Sequence, residues 1–146
     1  MQFMVLVKAS KESESGITAT PENKALFEKM GKFNEELARA GMIVAAEGLQ
    51  PSSEGVRISY SGDKPRVTDG PFAETKELVA GFWLLQAKSM DEVVAWLSRA
   101  PFKNGDTVEI RRVSEASDFP PELFSAEDAQ RDQSLRRSVQ ETQNKK

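Results

Sequence analysis

Val79-Ala80-Gly81-Phe82-Trp83-Leu84-Leu85 has no polar side chain at any position. Successive side chains of a strand point to opposite faces, so a run apolar throughout reads as a strand buried on both sides. Phe3-Met4-Val5-Leu6-Val7 has the same character, and residues 42–46 read as a further, largely buried strand. Between these strands the apolar period lengthens. Leu26, Met30, Phe33 and Leu37 recur at helical spacing, with Thr20 as N-cap, Pro21 at the first helical position, Glu22 in the first turn and Gly41 as the stop. Gly31 lies inside this helix, where it costs roughly 1 kcal/mol against alanine. It is read as marking close approach to the sheet.

Val56, Ile58 and Tyr60 alternate with Arg57 and Ser59, which predicts a half-exposed strand. Gly62-Asp63 suits a two-residue hairpin turn, and Pro65 makes the returning segment an edge strand. Ser89-Met90-Asp91-Glu92 is a capping box that opens a second helix, with Met90, Val93, Val94 and Leu97 inward and Pro101 ending it. Val108 and Ile110 alternate with Glu109 and Arg111 in one more strand. The order is β-α-β, an inserted hairpin, then β-α-β. This predicts an α+β, ferredoxin-like sandwich with an inserted β-hairpin. Two helices cover one sheet face only, while two strands are apolar on both. The second face therefore calls for a partner sheet, and a homodimer through sheet faces is expected. The strand faces carrying Val5 or Leu6 and Phe82 or Trp83 are the candidates. The competing reading folds the hairpin or the tail over that face.

Composition narrows the chemistry. The 146 residues fit one domain with one sizeable core. Acidic residues (23) outnumber basic ones (20), and no basic block precedes the C-terminal tail, so direct nucleic-acid binding is not expected. There is no cysteine and no histidine. Disulfides, thiolate sites and the commonest general base near neutral pH are thereby excluded. The opening apolar run is too short for a signal peptide or a membrane span, and a soluble cytoplasmic protein is expected. Residues 120–146 form a polar extension. Its Ser125 and Asp128 could cap a helix over residues 125–141, with Phe119, Leu123 and Phe124 as its anchor.

No phosphate-binding glycine loop, nucleophile elbow or helical pair of metal ligands is present, and neither a metal nor a cofactor is expected. The polar groups concentrate in Asp69-Gly70-Pro71-Phe72-Ala73-Glu74-Thr75-Lys76-Glu77. Two readings stand side by side. In one, Asp69 builds the turn and Phe72 plugs the core beneath it. In the other, a small molecule binds in a cleft near this loop. Asp69 and Glu74 are then the candidate catalytic residues, and Glu47, Phe72, Lys76 and Glu77 the candidate substrate-binding ones. Glu47 needs a partner if buried, which Arg57 or Arg66 could supply. Phe82, Trp83 and Trp96 read as core.

The loop, extended back through Val67-Thr68 and followed by Gly81-Phe82, closely resembles the signature of the DGPF-domain branch of the YCII-related proteins. The similarity runs over residues 1 to about 119 and includes Glu35-Glu36-Leu37, Ala40-Gly41 and Glu47-Gly48-Leu49-Gln50-Pro51. It implies a dimeric α/β barrel in which two ferredoxin-like sandwiches pack sheet to sheet. It also implies either a small-molecule binding protein, including a cofactor-independent enzyme, or a regulatory accessory protein linked to an extracytoplasmic-function sigma factor. Many relatives carry a histidine in the first helix where this chain has Met30, so a His–Asp pair cannot form here.

Overall fold

The apolar runs become the two central strands of a four-stranded antiparallel sheet. In the computed structural model, which describes residues 1–145, β1 (Gln2–Lys8) lies between β5 (Val79–Gln86) and β6 (Val108–Arg112), and β2 (Ile43–Gly48) flanks β5. All neighbours are antiparallel. Each strand that continues through a helix is thus parallel to the strand that helix leads to, with one strand between them. These are two interlocked split β-α-β units. The crossovers are α2 (Pro21–Arg39) and α3 (Met90–Leu97). The chain divides after Val113 into two compact units, and the sheet belongs to the first.

Register decides which side of each strand the core takes. Phe3 lies opposite Leu85 and Val5 opposite Trp83, all buried against Phe33 and Leu37 of α2 and Val93 and Leu97 of α3. Fully burying one such side chain is worth about 1.5–3 kcal/mol. The choice left open between neighbours is therefore settled, since Val5 and Trp83 face the helices. Met4 pairs with Leu84 and Leu6 with Phe82 on the other face, where all four are only half-buried.

Both N-caps form, but the capping box expected at α3 is only half made, since the Glu92 carboxylate accepts from the Lys88 N–H at 2.7 Å and not from Ser89. Thr20 Oγ1 accepts from the Asn23 N–H, and Ser89 Oγ accepts from the Glu92 N–H. In α3 only Val93 and Leu97 are buried, whereas Met90 and Val94 are 38% and 46% exposed. The correction is geometric. A helix this short meets the sheet along one narrow stripe, and Val94 lies beside it. The short α1 (Lys11–Ser15) is capped by Ser10.

The inserted hairpin is β3 (Val56–Ser61) and β4 (Lys64–Asp69), turning at Gly62-Asp63 as expected, with Pro65 opposite Tyr60. It forms its own two-stranded sheet, exposed on both faces.

In the second unit, α4 (Ala126–Gln143) is capped by Ser125 and Asp128 in the predicted reciprocal pair. Its surface carries ion pairs from Arg131 to Glu127 and from Arg136 to Asp132. Phe119 packs against Phe124 with ring centroids 5.9 Å apart. Leu123 is 76% exposed. Among the described residues no helix is long and apolar enough to cross a membrane.

Candidate functional site

Between α2 and the sheet the first unit holds a cavity of about 510 Å³. Leu26, Phe27, Met30, Gly31 and Asn34 border it from the helix, residues 46–48 and 80–83 from the sheet, and Val7 and Phe102 complete the lining. The helical contributors recur at three- and four-residue steps, so one face of α2 supplies them all. Gly31 is the element that departs from expectation. A Cβ built there meets nothing within 4 Å. Its missing side chain does not admit the sheet; it leaves room in the cavity. Close approach occurs instead at Gly81, where a Cβ would lie 2.9 Å from the Glu47 carbonyl.

Polar groups in the lining are few. Trp83 is buried edge-on between Phe33 and Phe102, with ring centroids at 6.4 and 6.0 Å, and its indole N–H donates to Asn34 Oδ1 at 2.8 Å. Indole is a donor only, so the amide oxygen must face it. Glu47 is the one titratable side chain among the lining residues. It is exposed, so the ion-pair partner that burial would have demanded is not required.

The signature loop lies apart from the residues that line this cavity. Asp69 ends β4 opposite Val56, and Glu74, Lys76 and Glu77 are exposed, the last two on a single 3₁₀ turn (Thr75–Glu77). Its order comes from another segment. The Phe72 N–H donates to Ser52 Oγ at 3.0 Å, and the Gly70 N–H donates to the Gly55 carbonyl at 2.9 Å. Ser52 in turn gives its backbone N–H and its hydroxyl to the Glu14 carboxylate of α1. Arg57 lies over the Phe72 ring, 3.8 Å from its centroid. A side chain on Gly70 would run into the Ser52 carbonyl, so only glycine fits. The Gly70–Pro71 peptide is cis.

A second polar group pins the other end of α1. Asn23 is 5% exposed and donates to Glu12 Oε1 and to the Thr18 carbonyl, both at 2.9 Å. Lys103 Nζ reaches Glu12 at 3.2 Å and Asn23 Oδ1 at 3.3 Å. The Asn23 hydrogen bond, then Lys103, hold the Glu12 carboxyl below its ordinary range. Among the described residues no cluster of three or more histidine, cysteine or acidic side chains could hold a metal ion.

Of the residues singled out from sequence, Glu47 thus borders the cavity, while Asp69, Phe72, Glu74, Lys76 and Glu77 do not. Asn34, Gly31 and Met30 were not read as site residues. The available signal was Phe27, Met30, Gly31 and Asn34 on one helix face, with a glycine where a core helix would carry bulk.

Residues 1–117 match the model of the YCII-related domain. An uncharacterized protein of Rhizobium meliloti (strain 1021) is 29% identical over 83 residues, which is 57% of this chain and 67% of the relative. A solved 5-chloro-2-hydroxyhydroquinone dehydrochlorinase from Burkholderia phenoliruptrix AC1100, in complex with 2,5-dihydroxybenzoquinone, aligns with 82% of this chain and 100% of its own. Its identity is 16% and its TM-score 0.43. The family match spans the whole sheet-bearing unit, and the chain belongs to the YCII-related family.

Proposed function

We propose that the protein binds a small, largely apolar molecule in the cavity between α2 and the sheet. One observation carries this reading: a helix glycine opens onto a 510 Å³ apolar space beside an asparagine held rigidly by a buried tryptophan. An open cleft of this size, lined largely by apolar groups with an oriented polar group at its wall, fits a ligand site. Binding is favoured over catalysis. Proton transfer needs groups that exchange protons, and a carboxamide does not. Glu47, the one titratable residue of the lining, sits on the sheet face turned away from α2. Met30, where the DGPF branch commonly carries histidine, gives the wall a soft apolar contact instead.

The DGPF-like loop then acts as scaffold. It ties the hairpin to Ser52, and Ser52 to α1, leaving Asp69 and Glu74 without a role in chemistry. The half-buried face of Met4, Leu6, Phe82 and Leu84 supports a sheet-to-sheet homodimer of the barrel type.

A thermal-shift screen of neutral ring compounds tests the site. At least one compound should raise the melting temperature of the wild type and leave Gly31→Leu unmoved, because the new side chain occupies the open space. No stabilising compound, or equal shifts in both proteins, contradicts the proposal.

A further inference from the structure

We infer that the ligand is uncharged and offers a hydrogen-bond acceptor to the Asn34 amide nitrogen. This rests on the cavity being the binding site, and it follows from how the wall is built. The Trp83 indole N–H takes Asn34 Oδ1 and so fixes the amide with Nδ2 as its unused end. No bond from Nδ2 to another described residue is formed, and no buried side-chain nitrogen lacks a partner, so this donor is accessible. Asn34 lines the cavity. A ligand that filled the space with hydrocarbon alone would strip this donor of water without replacing the bond. A ketone, ester, amide or ether oxygen on an apolar body satisfies it.

Charge is excluded on both signs. No lysine or arginine lines the cleft, so a carboxylate or phosphate turned toward its apolar wall gives up hydration there with no counter-charge. Glu47 does not serve a cation inside. It pairs with Phe82 in the strand register, whereas Ala46, opposite Trp83, lies on the helix-facing side. Its carboxylate is therefore placed on the sheet face turned away from α2.

The test uses three probes of one shape: acetophenone, isopropylbenzene and benzoate. Each is titrated into the full-length protein and followed by ¹³C-methyl NMR of the methionines. Acetophenone should bind about 3- to 10-fold more tightly than isopropylbenzene, and benzoate on the order of 100-fold more weakly than acetophenone. Asn34→Asp keeps an acceptor for the Trp83 N–H and removes the donor, so it should abolish the ketone's advantage while Trp83 emission stays native. Equal affinity for the three probes, preference for benzoate, or an unchanged ketone advantage in Asn34→Asp overturns the inference and leaves the cavity as the site. Failure of every probe, or binding that Gly31→Leu does not remove, overturns both.

Discussion

At Gly70 the absent side chain holds a loop together, because the Ser52 carbonyl occupies the place a Cβ would take. Gly70→Ala must move one backbone segment off the other and break the Phe72–Ser52 hydrogen bond. It should cost about 2–4 kcal/mol, read from chemical denaturation; a loss under about 0.5 kcal/mol would refute the scaffold role. Glu12 makes a prediction about pH. Its folded pKa lies below the ordinary 4.5 because Asn23 and Lys103 stabilise the carboxylate. The unfolded chain thus takes up the proton first as pH falls. The Glu12 contribution is complete above about 4.5 and lost as pH drops through the folded value. The wild-type advantage over Glu12→Gln in melting temperature should accordingly shrink on acidification below that point. Parallel melting curves down to acid unfolding would contradict it.

At the scale of elements, α2 both seals the core and walls the cavity, and Gly31 divides the two tasks. Gly31→Ala should raise stability by up to about 1 kcal/mol, since the helix gains a better former and the methyl group meets only open space. A loss of stability would mean that this space is filled by something else. The contrast with Gly70 explains how far the sequence could be read. Strand order, helix caps and the hairpin turn follow from local rules of period and capping, and Val79–Gln86 announces its own burial. The cavity depends on how far a helix stands from a sheet, which no local period encodes. Gly31, read as a site of close approach, faces open space, while Gly70, read as turn chemistry, is where the Ser52 carbonyl comes close. The DGPF-like loop drew attention because polar density and turn chemistry are visible locally, while its partners Ser52 and Glu14 lie far off in sequence. Tyr60 is 80% exposed on the two-stranded sheet.

The whole molecule consists of a sheet-bearing unit and a helical extension, each compact by itself. Leu135 and Val139 are exposed on α4, so that helix holds little apolar surface of its own. A chain ending at residue 114 should therefore keep the cooperative melting of the sheet unit within about 0.5 kcal/mol; collapse of the transition would make the extension part of the fold. The half-buried apolar face of Met4, Leu6, Phe82 and Leu84 predicts twice the monomer mass in sedimentation at micromolar concentration. Leu6→Lys should return the chain to monomer, and a wild-type monomer would end the sheet-to-sheet proposal. The central claim places ligand binding in the α2 cavity and gives the signature loop a structural task. Its most direct measurement is a ¹H–¹⁵N and methionine-methyl shift map during titration with acetophenone. The account predicts displaced signals from the Trp83 indole N–H, Asn34 and the Met30 methyl group, with Trp96 and residues 69–77 unmoved. Shifts concentrated at residues 69–77, with Trp83 and Met30 unchanged, would contradict it.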